Sequence, residues 1–191
     1  MVQARIERKT AETQVRAELS PDPARTLQID TGIGFFDHML SAMLFHGAFS
    51  GQIEARGDLA VDAHHTVEDV GICLGKVFAE LQAQIATPTR YGRAAVPMDD
   101  ALGEAVLDVS GRAYLVYRVE YPQAYAGTFD LALVREFFQA FMSNAAITLH
   151  LIGHYAINGH HLAEALFKAT GQALAQGYAP AQQLLSTKGS L

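Results

Sequence analysis

Cysteine is almost absent: Cys73 is the single one among 191 residues, so no disulfide can form within the chain. Its setting, Val70-Gly71-Ile72-Cys73-Leu74, suits a buried free thiol. Long apolar runs are also missing. The longest are broken by His, Asn or Thr, and none reaches the roughly 18 uninterrupted residues that a membrane span needs. The first residues carry Arg5, Arg8 and Lys9 and no apolar core segment, so no secretory signal is expected and a cytoplasmic location is. Basic charge is short as well: 14 Lys and Arg face 20 Asp and Glu, a net charge of −6. That balance speaks against a nucleic-acid partner, although a local cationic pocket is compatible with it. What remains is 50% apolar and 18% charged, enough to bury a sizeable core. One domain, or two similar halves packed as one, is the expectation.

What is present is a repeated motif. His64-His65-Thr66-Val67-Glu68 and His160-His161-Leu162-Ala163-Glu164 share the pattern HHxxE, at positions 96 residues apart, and hold four of the eight histidines. On a helix, His64 and Glu68 stand at i and i+4 on one face, while His65 is turned by about 100°. One copy therefore offers an N/O pair to one metal ion and a lone imidazole to a second. Two copies related by a pseudo-twofold axis would exchange these roles and build two similar sites.

The elements around the motif repeat too. Strands are expected at 4–9, 13–19 and 26–30, a helix at 35–46, a strand at 49–55 and a long helix from 62 to about 86 with the first HH pair in its first turn. After Pro88 the order restarts. Strands at 94–98, 104–109 and 114–120 precede a helix at 130–145, capped by Asp130, then a strand at 147–152 and a helix at 159–177. This predicts an α+β fold made of a duplicated βββαβα unit, residues 1–87 and 88–191, with helices on one side of a sheet.

Two further residues fit the repeat as ligands. His38 lies 26 residues before the first HH pair and Glu136 lies 24 before the second, each on the helix preceding an HH helix. Each can give a metal a third or fourth protein ligand and leave positions for water or substrate. Imidazole and carboxylate without thiolate suit Mn, Fe, Co, Ni or Zn, and octahedral sites with several carboxylates lean toward Mn. His46, His150 and His154 lack a counterpart in the other half and read as structural. Two other classes stay open: a dinuclear metallohydrolase, for which Asp99-Asp100 is the only paired candidate, and a metal-storage or metal-sensing protein.

At these residues the chain resembles the imidazoleglycerol-phosphate dehydratase family of histidine biosynthesis, in its monofunctional form. The resemblance rests on 34–40 (GFFDHML), 62–69 (DAHHTVED), 148–150 (TLH), 158–164 (NGHHLAE) with Phe167-Lys168-Ala169, and Ser186-Thr187-Lys188-Gly189. It implies a ribosomal-protein-S5-domain-2-like fold, two Mn2+ per active site, and a 24-subunit homo-oligomer with sites assembled between protomers. Metal ligands are then expected at His38, His64, His65, Glu68, His160, His161 and Glu164, and at Glu136, where many members have histidine. Substrate-binding residues are expected at Glu12, Arg90, Arg112, Lys168, Ser186 and Lys188. Guanidinium, ammonium and hydroxyl groups form charge-assisted bonds to a phosphate dianion. Ala42 stands where the family commonly has a substrate-binding glutamine.

The reaction the resemblance implies is loss of water from imidazole glycerol phosphate to give imidazole acetol phosphate. The hydrogen removed sits on a carbon with no neighbouring carbonyl, so the ring must supply the acidity. An imidazolate bridging two metal ions would do so, and two metals at ring-nitrogen spacing are what the doubled HHxxE is expected to provide. Glu12, in the family's position for a glutamate near the substrate, is the expected catalytic proton shuttle.

Overall fold

The computed structural model describes residues 2–183 and 185–187. The first half runs β1 (Ala4–Lys9), β2 (Thr13–Pro21), β3 (Leu27–Asp30), α1 (Gly34–His46), β4 (Phe49–Gly57) and α2 (His64–Ala83). The second runs β5 (Tyr91–Met98), β6 (Ala101–Asp108), β7 (Tyr114–Arg118), a short hairpin β8 (Tyr125–Ala126) and β9 (Phe129–Asp130), then α3 (Ala132–Ala145), β10 (Thr148–Tyr155) and α4 (Gly159–Gly177). Both halves build a four-stranded sheet with the same topology, β1-β2-β4-β3 and β5-β6-β10-β7. In each, the strand entering the first helix lies parallel to the strand leaving it, β3 with β4 and β7 with β10, as a helical crossover allows. The remaining pairings are antiparallel.

Alternation along the strands sets the layers. In β2, Thr13, Val15, Ala17 and Leu19 are buried and the residues between them are not, so one face of the sheet meets helices. α2 covers β1 and β2, and α4 covers β5 and β6. The two helical layers then pack on each other crosswise, α2 against α3 and α1 against α4. Each sheet thus carries its helices on one side, and the two helical layers lie between the sheets.

The crosswise packing is close because two glycines permit it. Gly75 in α2 and Gly171 in α4 are separated by the same 96 residues as the HHxxE motifs. A Cβ on Gly75 would lie 2.3 Å from the Phe141 carbonyl oxygen, and one on Gly171 only 2.0 Å from that of Met43. Around these contacts Phe78, Phe137, Phe141 and Phe167 are fully buried, with Phe78 edge-on to Phe141 at 5.3 Å. Each such side chain contributes about 1.5–3 kcal/mol of hydrophobic stabilisation. Cys73 is buried in the same core, and burial pushes its thiol up to about 11.

The repeat order is as expected, and the departures have local causes. β8 and β9 form a hairpin that periodicity over two-residue strands cannot reveal. The 62–86 helix begins only at His64, because Asp62 turns back so that its Oδ1 accepts the His64 N–H at 2.8 Å. Asp130 lies in β9 instead of capping α3 as the flanking residue. Leu131 holds that position, while Asp130 Oδ1 accepts the Ala132 N–H at 2.9 Å.

Candidate metal centre

The first turns of α2 and α4 present the HH pairs in the same way. Asn158 caps α4 by accepting the His160 N–H at 2.9 Å, and Asp62, one residue before the first position flanking α2, accepts the His64 N–H at 2.8 Å. At the α4 end, His38, His160 and Glu164 come together, with one ligand atom from each lying within 4.8 Å of the others. His38 Nε2 and His160 Nε2 each stand 3.3 Å from Glu164 Oε2. His38 therefore joins the HH pair of the other half, not the one it precedes in sequence. The close approach of α1 and α4 at Gly171 puts it there. Two imidazole nitrogens and one carboxylate oxygen, with no thiolate, make a donor set that fits a divalent ion of the Mn-to-Zn series.

Glu164 is buried, and burial works to raise its carboxyl. Lys168 and His38 outweigh that, and the group is held below its ordinary value. Lys168 Nζ stands 2.7 Å from Glu164 Oε1, one helical turn along. A cavity of about 450 Å³ opens beside this cluster, lined by His38, Ser41, Ala42, His46, Glu164 and Lys168.

The α2 end is built differently. His64 and Glu136 line a separate cavity of about 780 Å³, and Glu68 is exposed with no hydrogen bond among the described residues. Glu136 is half-buried and takes a 3.4 Å contact from Arg135. His64, Glu68 and Glu136 do not form a close group like that of His38, His160 and Glu164. The carboxylates of Glu68 and Glu136 carry like charges, which a bound cation would offset.

The second histidine of each pair faces carboxylates. His65 Nδ1 lies 3.0 Å from Asp58 Oδ2 and 3.9 Å from Glu12 Oε2. Asp58, then Glu12, favours the imidazolium and raises the His65 pKa. His161 Nδ1 lies 2.6 Å from Asp100 Oδ1, and its Nε2 3.9 Å from Asp99 Oδ2. The His161 contact, followed by the N–H groups of Ile157 and Asn158, brings the Asp100 carboxyl down to about 2. Sequence reasoning singled out Asp99 and Asp100 without a role and missed Asp58, which has no motif around it.

The expected phosphate residues do not all gather here. Lys168 belongs to the α4 cluster, whereas Arg90 pairs with Asp108 at 2.7 Å, stacks over Tyr91 and donates to the Leu185 carbonyl next to Ser186. Arg112 Nη2 approaches the same Asp108 at 3.9 Å. Asp108 ends β6, whereas Asp100, which holds His161, immediately precedes that strand, so the two aspartates are roughly 25 Å apart along it. Lys188 lies outside the described residues.

Residues 31–174 match the family model described as imidazoleglycerol-phosphate dehydratase. The imidazoleglycerol-phosphate dehydratase of Acidithiobacillus ferrooxidans is 48% identical over 99% of this chain and 97% of its own length. That of Oceanobacillus iheyensis is 47% identical over the full length of both. Among solved structures, the Staphylococcus aureus imidazoleglycerol-phosphate dehydratase superposes with a TM-score of 0.85 at 37% identity, covering 94% of this chain and 99% of that one. The Pyrococcus furiosus structure, a complex, gives 0.86 at 34% identity over 97% of this chain and all of that one.

Proposed function

The chain belongs to the imidazoleglycerol-phosphate dehydratase family of hydro-lyases, and from that premise we propose that it dehydrates D-erythro-imidazole glycerol phosphate to imidazole acetol phosphate in histidine biosynthesis. The observation that carries this reading is the convergence of His38, His160 and Glu164 on one point, at a motif that occurs twice. In this reading two Mn2+ serve each active site: one held by His38, His160 and Glu164, the other by His64, Glu68 and Glu136. His65 and His161 add one imidazole each. Bound divalent cations supply Lewis acidity that withdraws electron density from the substrate's imidazole ring.

The chain's own residues do the rest. Glu12 stands beside His65, exposed at the β1–β2 turn, where Thr10 Oγ1 accepts its N–H at 3.1 Å. Its carboxylate takes the proton from the substrate carbon next to the ring and returns one during tautomerisation. Lys168, Arg90, Arg112, Ser186 and Lys188 hold the phosphate. Asp108 keeps Arg90 and Arg112 extended toward one point.

Arg90 and Arg112 gather at Asp108, at the far end of β6 from the Asp100 that holds His161, roughly 25 Å along the strand, and this supports a site completed by other copies of the chain. A small glycerol phosphate cannot span that distance within one protomer. In this reading the assembly is a 24-subunit homo-oligomer, with halves 1–87 and 88–191 acting as one compact unit in each subunit. No helix among the described residues is long and apolar enough to cross a membrane; a cytoplasmic location belongs to the same reading.

The test is turnover of imidazole glycerol phosphate by metal-free and Mn2+-loaded protein. Activity is expected only in the loaded form, and undiminished activity after complete metal removal would end the metal reading. Glu12→Gln in the loaded form is expected to lower kcat on the order of 10²-fold or more, with bound Mn2+ and KM largely kept. A kcat within a few-fold of the parent would return Glu12 to an ordinary surface charge.

A further inference from the structure

The two second-position histidines are each anchored by an aspartate, and the aspartates reach them by unrelated routes. Asp58 follows β4 and lies seven residues before His65, with its two oxygens 3.0 and 3.2 Å from His65 Nδ1. Asp100 comes from the β5–β6 turn, 61 residues before His161, and its Oδ1 is 2.6 Å from His161 Nδ1. The internal repeat does not relate them: 96 residues beyond Asp58 is His154, and 96 before Asp100 is Ala4. One contact has thus been built twice from different pieces of chain. A general stabilising ion pair has no need of such convergence at the same atom of the same motif residue.

The chemistry of the contact is directional. A carboxylate only accepts hydrogen bonds, so the ring nitrogen facing it must carry the hydrogen, and the other nitrogen of a neutral imidazole keeps its lone pair. His65 and His161 both stand outside the ligand group formed by His38, His160 and Glu164. We propose that Asp58 and Asp100 are positioning residues that fix the Nδ1–H tautomer and ring orientation of His65 and His161, so that each presents Nε2 as a ready donor to a divalent cation. The proposal rests on the reading of the HHxxE histidines as metal ligands. Carboxylates in this position commonly tune metal affinity 10–100-fold.

Asp58 is the cleaner probe, because its side chain bonds only His65 among the described residues, whereas Asp100 Oδ2 also accepts the N–H groups of Ile157 and Asn158. The experiment uses full-length protein with 15N-labelled histidine. Ring-nitrogen shifts are read in the metal-free state, and Mn2+ affinity is measured calorimetrically for the parent, Asp58→Asn and Asp100→Asn. Expected are Nδ1–H tautomers at His65 and His161 in the parent. Asp58→Asn is expected to mix the His65 tautomers and weaken Mn2+ binding about 10–100-fold, with the thermal midpoint little changed. Asp58→Glu should restore part of the affinity. Nε2–H tautomers in the parent, or an Asp58→Asn affinity within twofold of it, would overturn the positioning role while leaving the metal reading intact. A parent that binds no Mn2+ would overturn both. If Asp100→Asn unfolds, Asp58 alone decides.

Discussion

The two HHxxE ends of the molecule share a motif but not an environment. At the α4 end, Glu164 is buried against Lys168, and His38 and His160 close around it. At the α2 end, the position one turn beyond Glu68 is Ile72, the helix across the interface offers Glu136 in place of an imidazole, and Glu68 is exposed. The charge balance accounts for the difference. One carboxylate with a lysine is neutral, whereas the two carboxylates at the α2 end, Glu68 and Glu136, repel one another. The α4 end is thus closed around Glu164, whereas His64, Glu68 and Glu136 stand apart.

Removing a ligand from either end tests whether both are needed. His160→Ala and His64→Ala should each cost several kcal/mol of charge stabilisation, on the order of 10³-fold in kcat, with one Mn2+ lost per site by elemental analysis. If His64→Ala keeps full activity and metal, the α2 end is not a site.

A smaller effect is expected from making the closed end resemble the open one. Lys168→Ile places the α2-end residue in α4 and leaves Glu164 buried without its ammonium partner. Metal-free protein should lose about 1–3 kcal/mol of stability in denaturant unfolding, and Mn2+ should recover much of it by replacing the missing cation. An unchanged metal-free midpoint would mean that Lys168 does not hold the α4 cluster together.

The subtlest contrast is in pH. Asp58 raises the His65 pKa in the folded, metal-free chain, so that pairing stabilises fully below the unfolded imidazole value of about 6.5 and fades as pH rises through the higher folded value. A protonated imidazole cannot bind metal. Mn2+ affinity should therefore begin to fall on acidification at a pH above about 6.5, and Asp58→Asn should move that onset downward. Calorimetric titrations across pH 5.5–8 would read the shift, and identical profiles would remove Asp58 from the proton balance of His65.

Much of this was legible in the sequence because it is local. Strand and helix periods, the two HHxxE copies and the restart after Pro88 need only neighbouring residues to be read, and the βββαβα order followed from them. The β8–β9 hairpin did not, since two-residue strands carry no period. Asp58 has no motif, and Asp99-Asp100 looked like a pair acting together, whereas their side chains meet different nitrogens of His161. The expected gathering of Arg90, Arg112 and Lys168 around one phosphate came from the family resemblance. Within a single chain Arg90 and Arg112 meet at Asp108, whereas Lys168 turns to Glu164.

By itself the sequence determined which side chains can ligate and on which helical turn they stand, because i to i+4 geometry is fixed by the backbone alone. Only the tertiary structure decided which of them meet. The helices cross between halves at Gly75 and Gly171, where the absence of a Cβ lets backbones touch, and that crossing carries His38 away from its neighbour in sequence to the HHxxE of the other half. No periodicity encodes such a choice, because it arises from which pair of surfaces packs without a clash.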